Sequence, residues 1–337
     1  MNATMSLEKI NHHPVMLDQV LSIISPQHGG VFIDCTFGGG GYSKAILKHP
    51  ETKVLAIDRD KSVKKLSDIL IKKFPKRFSF FQSKFSNLKN LIGAVSNPKA
   101  IIFDLGLSSF QLSDHERGFS FKSKKSLNMQ MGFNEYSAHE VVNNLDKNDL
   151  SLIIKFLGDE KDAKLIANKI IKYRENKKIN TAEELSFIIK DAKKNFKNFK
   201  KNPATKTFQA LRIFVNKELT ELISGLIAAT EVLEEDGILI VVSFHSLEDK
   251  IVKNFFNLYS NLNKNPSRYL PIKKNNPNLF KKFSKKAQMP NDQEINQNIR
   301  SRSAKLRYAV KNSGTITNFD EIYKKFQNYF KIEEIKI

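Results

Sequence analysis

Short apolar runs that end in a carboxylate or a hydroxyl, each followed by a helical pattern, constrain this chain most. Val31-Phe32-Ile33-Asp34 is the first and Lys53 to Asp58 (KVLAID) the second. Phe78 to Phe81 follows, then Ala100 to Leu105 (AIIFDL), and much later Ile238 to Ser243 (ILIVVS). Between them, Tyr42, Ala45, Ile46 and Leu47, then Val63, Leu66, Ile69 and Leu70, recur at helical spacing. Short β-rich runs alternating with helices specify βαβ units and a parallel sheet. Such crossovers are right-handed, so the carboxyl ends of the strands gather along one edge.

The alternation stops near Ser113 and resumes near Lys206. Between these points 138–145, 150–157, 161–173 and 182–192 fit helical spacing, and no run reads as a strand. Thr207 to Leu233 reads as a long helical stretch, and Lys305 to Val310 (KLRYAV) as a late strand. The expected layout is an α/β sheet of the Rossmann-like kind interrupted by an all-helical insertion of roughly 90 residues. Its parts are 1–112, the first part of the α/β domain; 113–206, the insertion; 207–311, the second part with a basic loop at 261–290; and a tail, 312–337.

Charge points to the partner. The 56 Lys and Arg against 35 Asp and Glu leave +21 over 337 residues, which favours a polyanion, most often nucleic acid. Seven lysines lie between Lys190 and Lys206, and eight Lys or Arg with no acid lie in 261–290. Phe196, Phe199, Tyr269, Phe280 and Phe283 are interleaved with them, and aromatic faces stack on unpaired bases. A single cysteine, Cys35, excludes a disulfide framework and a cysteine-based zinc site. His12-His13 is too little to hold a metal, so none is expected. No run reaches the ~18 apolar residues of a membrane span, and Met1 to Pro14 lacks a basic-then-apolar leader. A cytoplasmic protein is expected.

Asp34-Cys35-Thr36-Phe37-Gly38-Gly39-Gly40-Gly41-Tyr42 lies between the first strand and the first helix. Glycines there let the backbone approach a ligand at the sheet's carboxyl edge. Asp58 ends the second strand, where an acid can accept hydrogen bonds from ribose hydroxyls. Asp104 ends the fourth. A nicotinamide dinucleotide fits poorly, because Ser43 stands where its fingerprint needs a third glycine and the carboxylates would face a pyrophosphate. Asp34, Asp58 and Asp104 suit a cationic cofactor without phosphate, such as S-adenosylmethionine.

From here the motifs carry a resemblance. His13-Pro14-Val15-Met16-Leu17, Asp34 to Ser43, Ala56-Ile57-Asp58-Arg59-Asp60 and Asp104-Leu105-Gly106-Leu107-Ser108-Ser109 begin the set. Glu116 to Phe121, Pro203 to Arg212, Ser243-Phe244-His245-Ser246-Leu247-Glu248-Asp249 and Arg300 to Arg307 complete it. In this order the chain resembles the ribosomal RNA small subunit methyltransferase H family. The resemblance implies a class I methyltransferase sheet and N4-methylation of a decoding-centre (P-site) cytidine of 16S rRNA, using S-adenosylmethionine. It implies 16S rRNA in the small ribosomal subunit as partner and the helical insertion as the place that meets the target; it leaves a homodimer open. Cofactor contacts carried over fall on Gly40, Gly41, Tyr42, Asp58, Phe85, Asp104 and Gln111. The chain departs from the family at Leu127-Asn128-Met129-Gln130-Met131-Gly132, where Leu-Asp-Met-Arg-Met-Asp is usual. Phe110 stands for a usual proline, Asn202 for a histidine, and Tyr42 for a frequent histidine.

A cytosine amine is a poor nucleophile, so acceptors near its N–H bonds are needed, and the base must be flipped out or unpaired. Asp104 is the main candidate for the chemistry, Ser108 the second and His245 a third. Gly106 lets a backbone carbonyl approach as a further acceptor. Ser246 and Asp249 read as a capping box, with Glu248 favoured by the helix dipole. Arg212, Arg300, Arg302 and Arg307 read as phosphate or loop clamps. The alternative is a catalytically inactive RNA-binding assembly factor on the same fold. A DNA amino-methyltransferase is disfavoured because Asp104-Leu105-Gly106-Leu107 occupies the place of its Pro-Pro-Tyr motif, and a dehydrogenase by the glycine pattern.

Overall fold

Strands β1 (Gly30–Asp34), β2 (Thr52–Asp58), β3 (Phe78–Gln82), β4 (Pro98–Asp104), β5 (Ile238–Ser243), β6 (Phe280–Phe283) and β7 (Lys305–Lys311) form one sheet. Their order is β3-β2-β1-β4-β5-β7-β6. The first five run parallel, and β7 lies antiparallel between β5 and β6. The strand order reverses between β1 and β4, which is where a crevice opens at the carboxyl edge of such a sheet. The computed structural model describes residues 14–92, 97–193, 202–260, 278–316 and 318–337.

The apolar runs read as strands because both faces of the sheet are covered. Phe32, Val54, Ala56, Ile102 and Val242 point into one core, under the helices Leu17–Ile24, Gly41–Leu47 and Lys64–Lys73. Their neighbours Ile33, Leu55, Ile57, Phe103 and Val241 point into the other. That second core runs without a break into the helices Ala138–Asn144, Lys147–Gly158, Ala163–Arg174 and Ala182–Ala192. Ser137 and Thr181 start two of these helices, each in a capping box closed by a glutamate three residues on. Among the described residues from 113 to 206 there is no strand, and no described helix is long and apolar enough to cross a membrane.

Three of the expected segments hold more structure than the sequence marked. The stretch from Thr207 to Leu233 is two helices, Thr205–Asn216 and Glu218–Val232, broken at Lys217 with φ +49°. Neither Gly nor Pro marks the break. Part of the basic loop is strand β6, an edge strand whose Lys281 and Lys282 face out while Phe280 is buried. The tail contains the helix Asp320–Glu333, which packs Ile322 and Phe326 into the second core. At its end Glu333 is buried, and its carboxylate accepts the N–H of Leu219 at 3.0 Å and of Thr220 at 2.9 Å. It therefore caps the Glu218–Val232 helix from 113 residues away.

The basic tracts divide. Lys193 is buried, 2.8 Å from Glu160, and is an interior ion pair rather than a phosphate ligand. Lys206 pairs with Asp159, and Lys281 with Asp236. Residues 194–201 and 261–277, with Phe196, Phe199 and Tyr269, lie outside the described residues, as do His12 and His13.

Candidate active site

A cavity of about 1230 Å³, counting its open mouth, lies at the β1/β4 reversal. Its floor is the turn after β1 (Thr36 to Gly39), the end of β4 and the loop that follows it. Gly106 in that loop has φ +98°, and the Phe244 ring lies 3.3 Å from where a Cβ would sit. The backbone angle calls for glycine here, and the loop after β5 packs closely upon it. The walls come from Phe85, from Glu218, Glu221 and Leu222, and from Phe244 and Glu248. Five acids face the cavity (Asp58, Asp104, Glu218, Glu221, Glu248) against two arginines, Arg59 and Arg300. Arg59 is committed elsewhere, its Nε donating to the Gly132 carbonyl at 2.9 Å and its Nη1 to that of Asn216 at 2.9 Å. Such a lining favours a cation and opposes a pyrophosphate.

The acids differ in how they are held. Asp58 Oδ2 accepts the Gly38 N–H at 2.7 Å, and Oδ1 the Asp60 N–H at 2.9 Å, so this side chain ties the glycine turn to β2. Burial outweighs those bonds and pushes its carboxyl up to about 6. Asp104 is more extreme. Its backbone N–H donates to Thr36 Oγ1 at 2.7 Å, but its own Oδ1 is buried with no hydrogen-bond partner. Burial, then the charges of Asp34 and Glu248, push its carboxyl well above the usual range. A buried acceptor without a partner is costly, and this one lies on the cavity wall. Asp34 is a correction. It is absent from the wall, because Oδ2 turns inward to the Ser43 hydroxyl at 2.6 Å. The serine in the third glycine position is thereby explained: it is the partner of a buried acid.

The remaining expected residues fall into two sets. Gly41, Tyr42, Phe85, Ser108 and Gln111 line the cavity with Asp58 and Asp104; Gly40 and His245 do not. Gly40 sits behind the turn, its N–H on the Phe37 carbonyl at 2.6 Å. The Tyr42 hydroxyl donates to the Val15 carbonyl, so only its ring is free for a ligand. Phe85 meets Phe103 edge-on at 5.1 Å. Ser108 and Gln111 form a capping box: the Ser108 N–H donates to Gln111 Oε1 at 2.9 Å, and the Gln111 N–H to Ser108 Oγ at 3.2 Å. Gln111 Nε2 also donates to Asp60 Oδ2 at 2.7 Å. Ser108 Oγ is thus occupied by its helix, which weakens it as a catalytic group.

The helix after β5 is also read differently. Asp249 does not close a capping box with Ser246; it takes Arg307 Nε at 2.7 Å and Lys305 Nζ at 3.1 Å. Glu248 instead reaches back to the Phe244 N–H at 2.9 Å and the His245 N–H at 3.3 Å. Arg212 forks Glu218 with two 2.8 Å bonds, so Arg212 and Arg307 are internal clamps, while Arg300 stays at the rim. Glu218, Glu221, Met131 and Arg300 were not foreseen as wall residues. Glu218 and Glu221 follow the break at Lys217, which starts a second helix with these acids on the cavity wall. Met131 is set by Asn216, whose Oδ1 accepts the Met131 N–H and whose Nδ2 donates to the Met129 carbonyl, each at 2.8 Å.

A family model described as the MraW methylase family matches residues 9–312. The ribosomal RNA small subunit methyltransferase H of Ehrlichia canis is 44% identical over 303 residues, covering 89% of this chain and 99% of that protein. The protein of the same name from Wolbachia sp. subsp. Drosophila simulans is 43% identical over 301 residues, covering 88% and 98%. Among solved structures, an rRNA methylase from Streptococcus thermophilus aligns over 90% of this chain and 99% of its own, with 11% identity and a TM-score of 0.39.

Proposed function

The chain belongs to the MraW methylase family, and we propose on that footing that it methylates N4 of a decoding-centre cytidine in 16S rRNA, with S-adenosylmethionine as donor. The observation that carries the reading is Asp104 Oδ1, a buried acceptor without a partner on the wall of an acid-lined cavity at the strand reversal. The residues fit this cofactor: the lining joins apolar and aromatic surface to a few polar groups, and Asp58 and Asp104 suit its ribose hydroxyls and positive charge. When bound, it supplies a methyl group activated by a sulfonium.

The chain's own residues have separable tasks. Asp58 stands at the end of β2, where it can accept from ribose hydroxyls while holding the Gly38 turn. Asp104 gains a reason to ionise when a cation lies beside it. The loop from Leu105 to Ser108 and the Phe244 ring flank the place where a flipped base would enter. We assign to RNA the outer surface of the helices from Ala138 to Ala192, which share the second core with the Thr205–Asn216 helix. The lysines of the basic tracts at 190–206 and 261–290 that are not committed to internal ion pairs supply sequence-independent attraction to phosphate.

Two measurements test the reading. Calorimetry should give binding of S-adenosylmethionine and none of a nicotinamide dinucleotide. Small-subunit particles from a strain lacking the enzyme should gain one methyl group on a cytidine amine, mapped by mass spectrometry. Particle binding without methyl transfer would favour the inactive assembly factor, and a methyl group elsewhere would refute the N4 assignment.

A further inference from the structure

We propose that Glu248 is the group that takes the proton from the methylated amine, and that His245 is the positioning residue that keeps its carboxylate in place. This rests on the reading of the site as an amine methyltransferase. Glu248 lines the cavity, yet its side chain is only 4% exposed. Oε2 is fixed by the N–H groups of Phe244 and His245. Oε1 stands 3.1 Å from His245 Nε2, off the line of a good hydrogen bond, and that nitrogen has no other acceptor. A long or misaligned contact of this kind is common before substrate arrives.

The surroundings decide what the carboxylate can do. The charged and titratable groups facing it come from three other elements besides its own loop: Arg212, Glu218 and, from the end of β4, Asp104. Burial works against the charge on Glu248, but His245, Arg212 and the Phe244 N–H outweigh it and hold the carboxyl below its usual range. Asp104 is driven the other way. Two carboxyls on one wall with opposed tendencies are the pattern of divided acid and base roles.

A cation could be imagined among Glu218, His245 and Glu248, whose donor atoms lie within 4.8 Å of one another. The bonding argues otherwise. Arg212 occupies both oxygens of Glu218. His245 Nδ1 faces the Glu248 N–H at 3.4 Å and its Nε2 faces Glu248 Oε1 at 3.1 Å, so both ring nitrogens are turned to Glu248 rather than to a shared cation.

The step balances. The amine lone pair forms the bond to the methyl carbon, and the carbon–sulfur pair stays on sulfur. The nitrogen then carries one proton too many. That N–H bond breaks, its electrons return to nitrogen, and the proton joins Glu248 Oε1, leaving a neutral acid that releases it to water after product leaves. An alkylated amine of this type is a much stronger acid than a carboxylic acid. A carboxylate held below its usual range therefore suffices.

Glu248→Gln keeps the shape and the Oε2 acceptor. It should leave the calorimetric Kd for S-adenosylmethionine within about threefold and slow single-turnover methyl transfer by about 10²–10³. Glu248→Asp, which keeps the charge, should retain more activity than Glu248→Gln. His245→Ala removes the leading support for the charge, so the acid limb of the pH–rate profile should move upward; a merely structural histidine would lower the rate evenly at every pH. In cofactor-free protein, isotope-edited infrared spectroscopy should find Glu248 ionised at neutral pH. Transfer within threefold of wild type in Glu248→Gln, lost cofactor binding in that variant, or a protonated Glu248 at neutral pH would each overturn the proposal. Wild-type protein that binds cofactor and transfers no methyl group would overturn the functional reading as well.

Discussion

Gly132 is where a single methyl group should matter most. It has φ +127°, and a Cβ there would lie 2.3 Å from the Arg59 carbonyl oxygen and 3.2 Å from its carbon. Both neighbours are backbone, so no side chain can swing aside. Holding an L-residue at that angle costs about 1–3 kcal/mol. Shifting the Arg59 backbone to relieve the overlap costs about 1–3 kcal/mol more. Loss of glycine's freedom in the unfolded chain returns only about 0.4–1 kcal/mol. Gly132→Ala should therefore destabilise by about 3 kcal/mol, a large part of the ~5–15 kcal/mol of a typical domain. Urea unfolding gives the value from the midpoint at unchanged slope. The effect should also reach the site. Arg59 Nε and Nη1 hold the Gly132 and Asn216 carbonyls, and Arg59 directly follows Asp58. Cofactor affinity should fall with stability. A variant within about 0.5 kcal/mol of wild type, the usual range for an innocuous surface change, would refute the packing described for this turn. The same geometry bears on the departure at Asn128 to Gly132, since the aspartate usual in the family has no room at this φ.

Three more expectations can be checked directly. Asp58→Ala should weaken S-adenosylmethionine binding at least tenfold by calorimetry; unchanged affinity would remove Asp58 from the ribose end. A carboxyl raised to about 6 favours the folded protein at low pH, and that contribution fades as pH climbs through 6. A ligand that needs the ionised form should accordingly lose up to about tenfold in affinity per unit below that pH; the fall should vanish in Asp58→Asn, and a flat wild-type profile would count against it. Glu333→Ala leaves the Leu219 and Thr220 N–H groups without their acceptor. It should cost about 2–3 kcal/mol in denaturant unfolding, and a change below about 0.5 kcal/mol would mean that the cap is dispensable.

The strands that build the cavity were legible because burial on both faces demands unbroken apolar runs, as in Ile238–Ser243. β6 was not, because FKKF has two lysines among four residues and is held as an edge strand by β7. Asp58 and Asp104 could be placed from strand ends alone. Asp34 could not, since its direction depends on the hydroxyl of Ser43 nine residues away. Glu248 was visible as a residue but not as a role. A carboxylate near a helix start explains itself by the dipole, and only the fold brings the charges of Arg212 and Asp104 within its reach. Glu218 and Glu221 depended on a break at Lys217 that no local signal marks.

The reach of Glu333 back to Leu219 gives the site a history as well as a shape. During synthesis the Glu218–Val232 helix, which carries three residues of the cavity wall, is made long before residue 333 leaves the ribosome. Until then its first turn lacks its acceptor. A nascent chain can thus assemble the glycine turn and most of the sheet early, while a finished wall waits for the turn that carries Glu333.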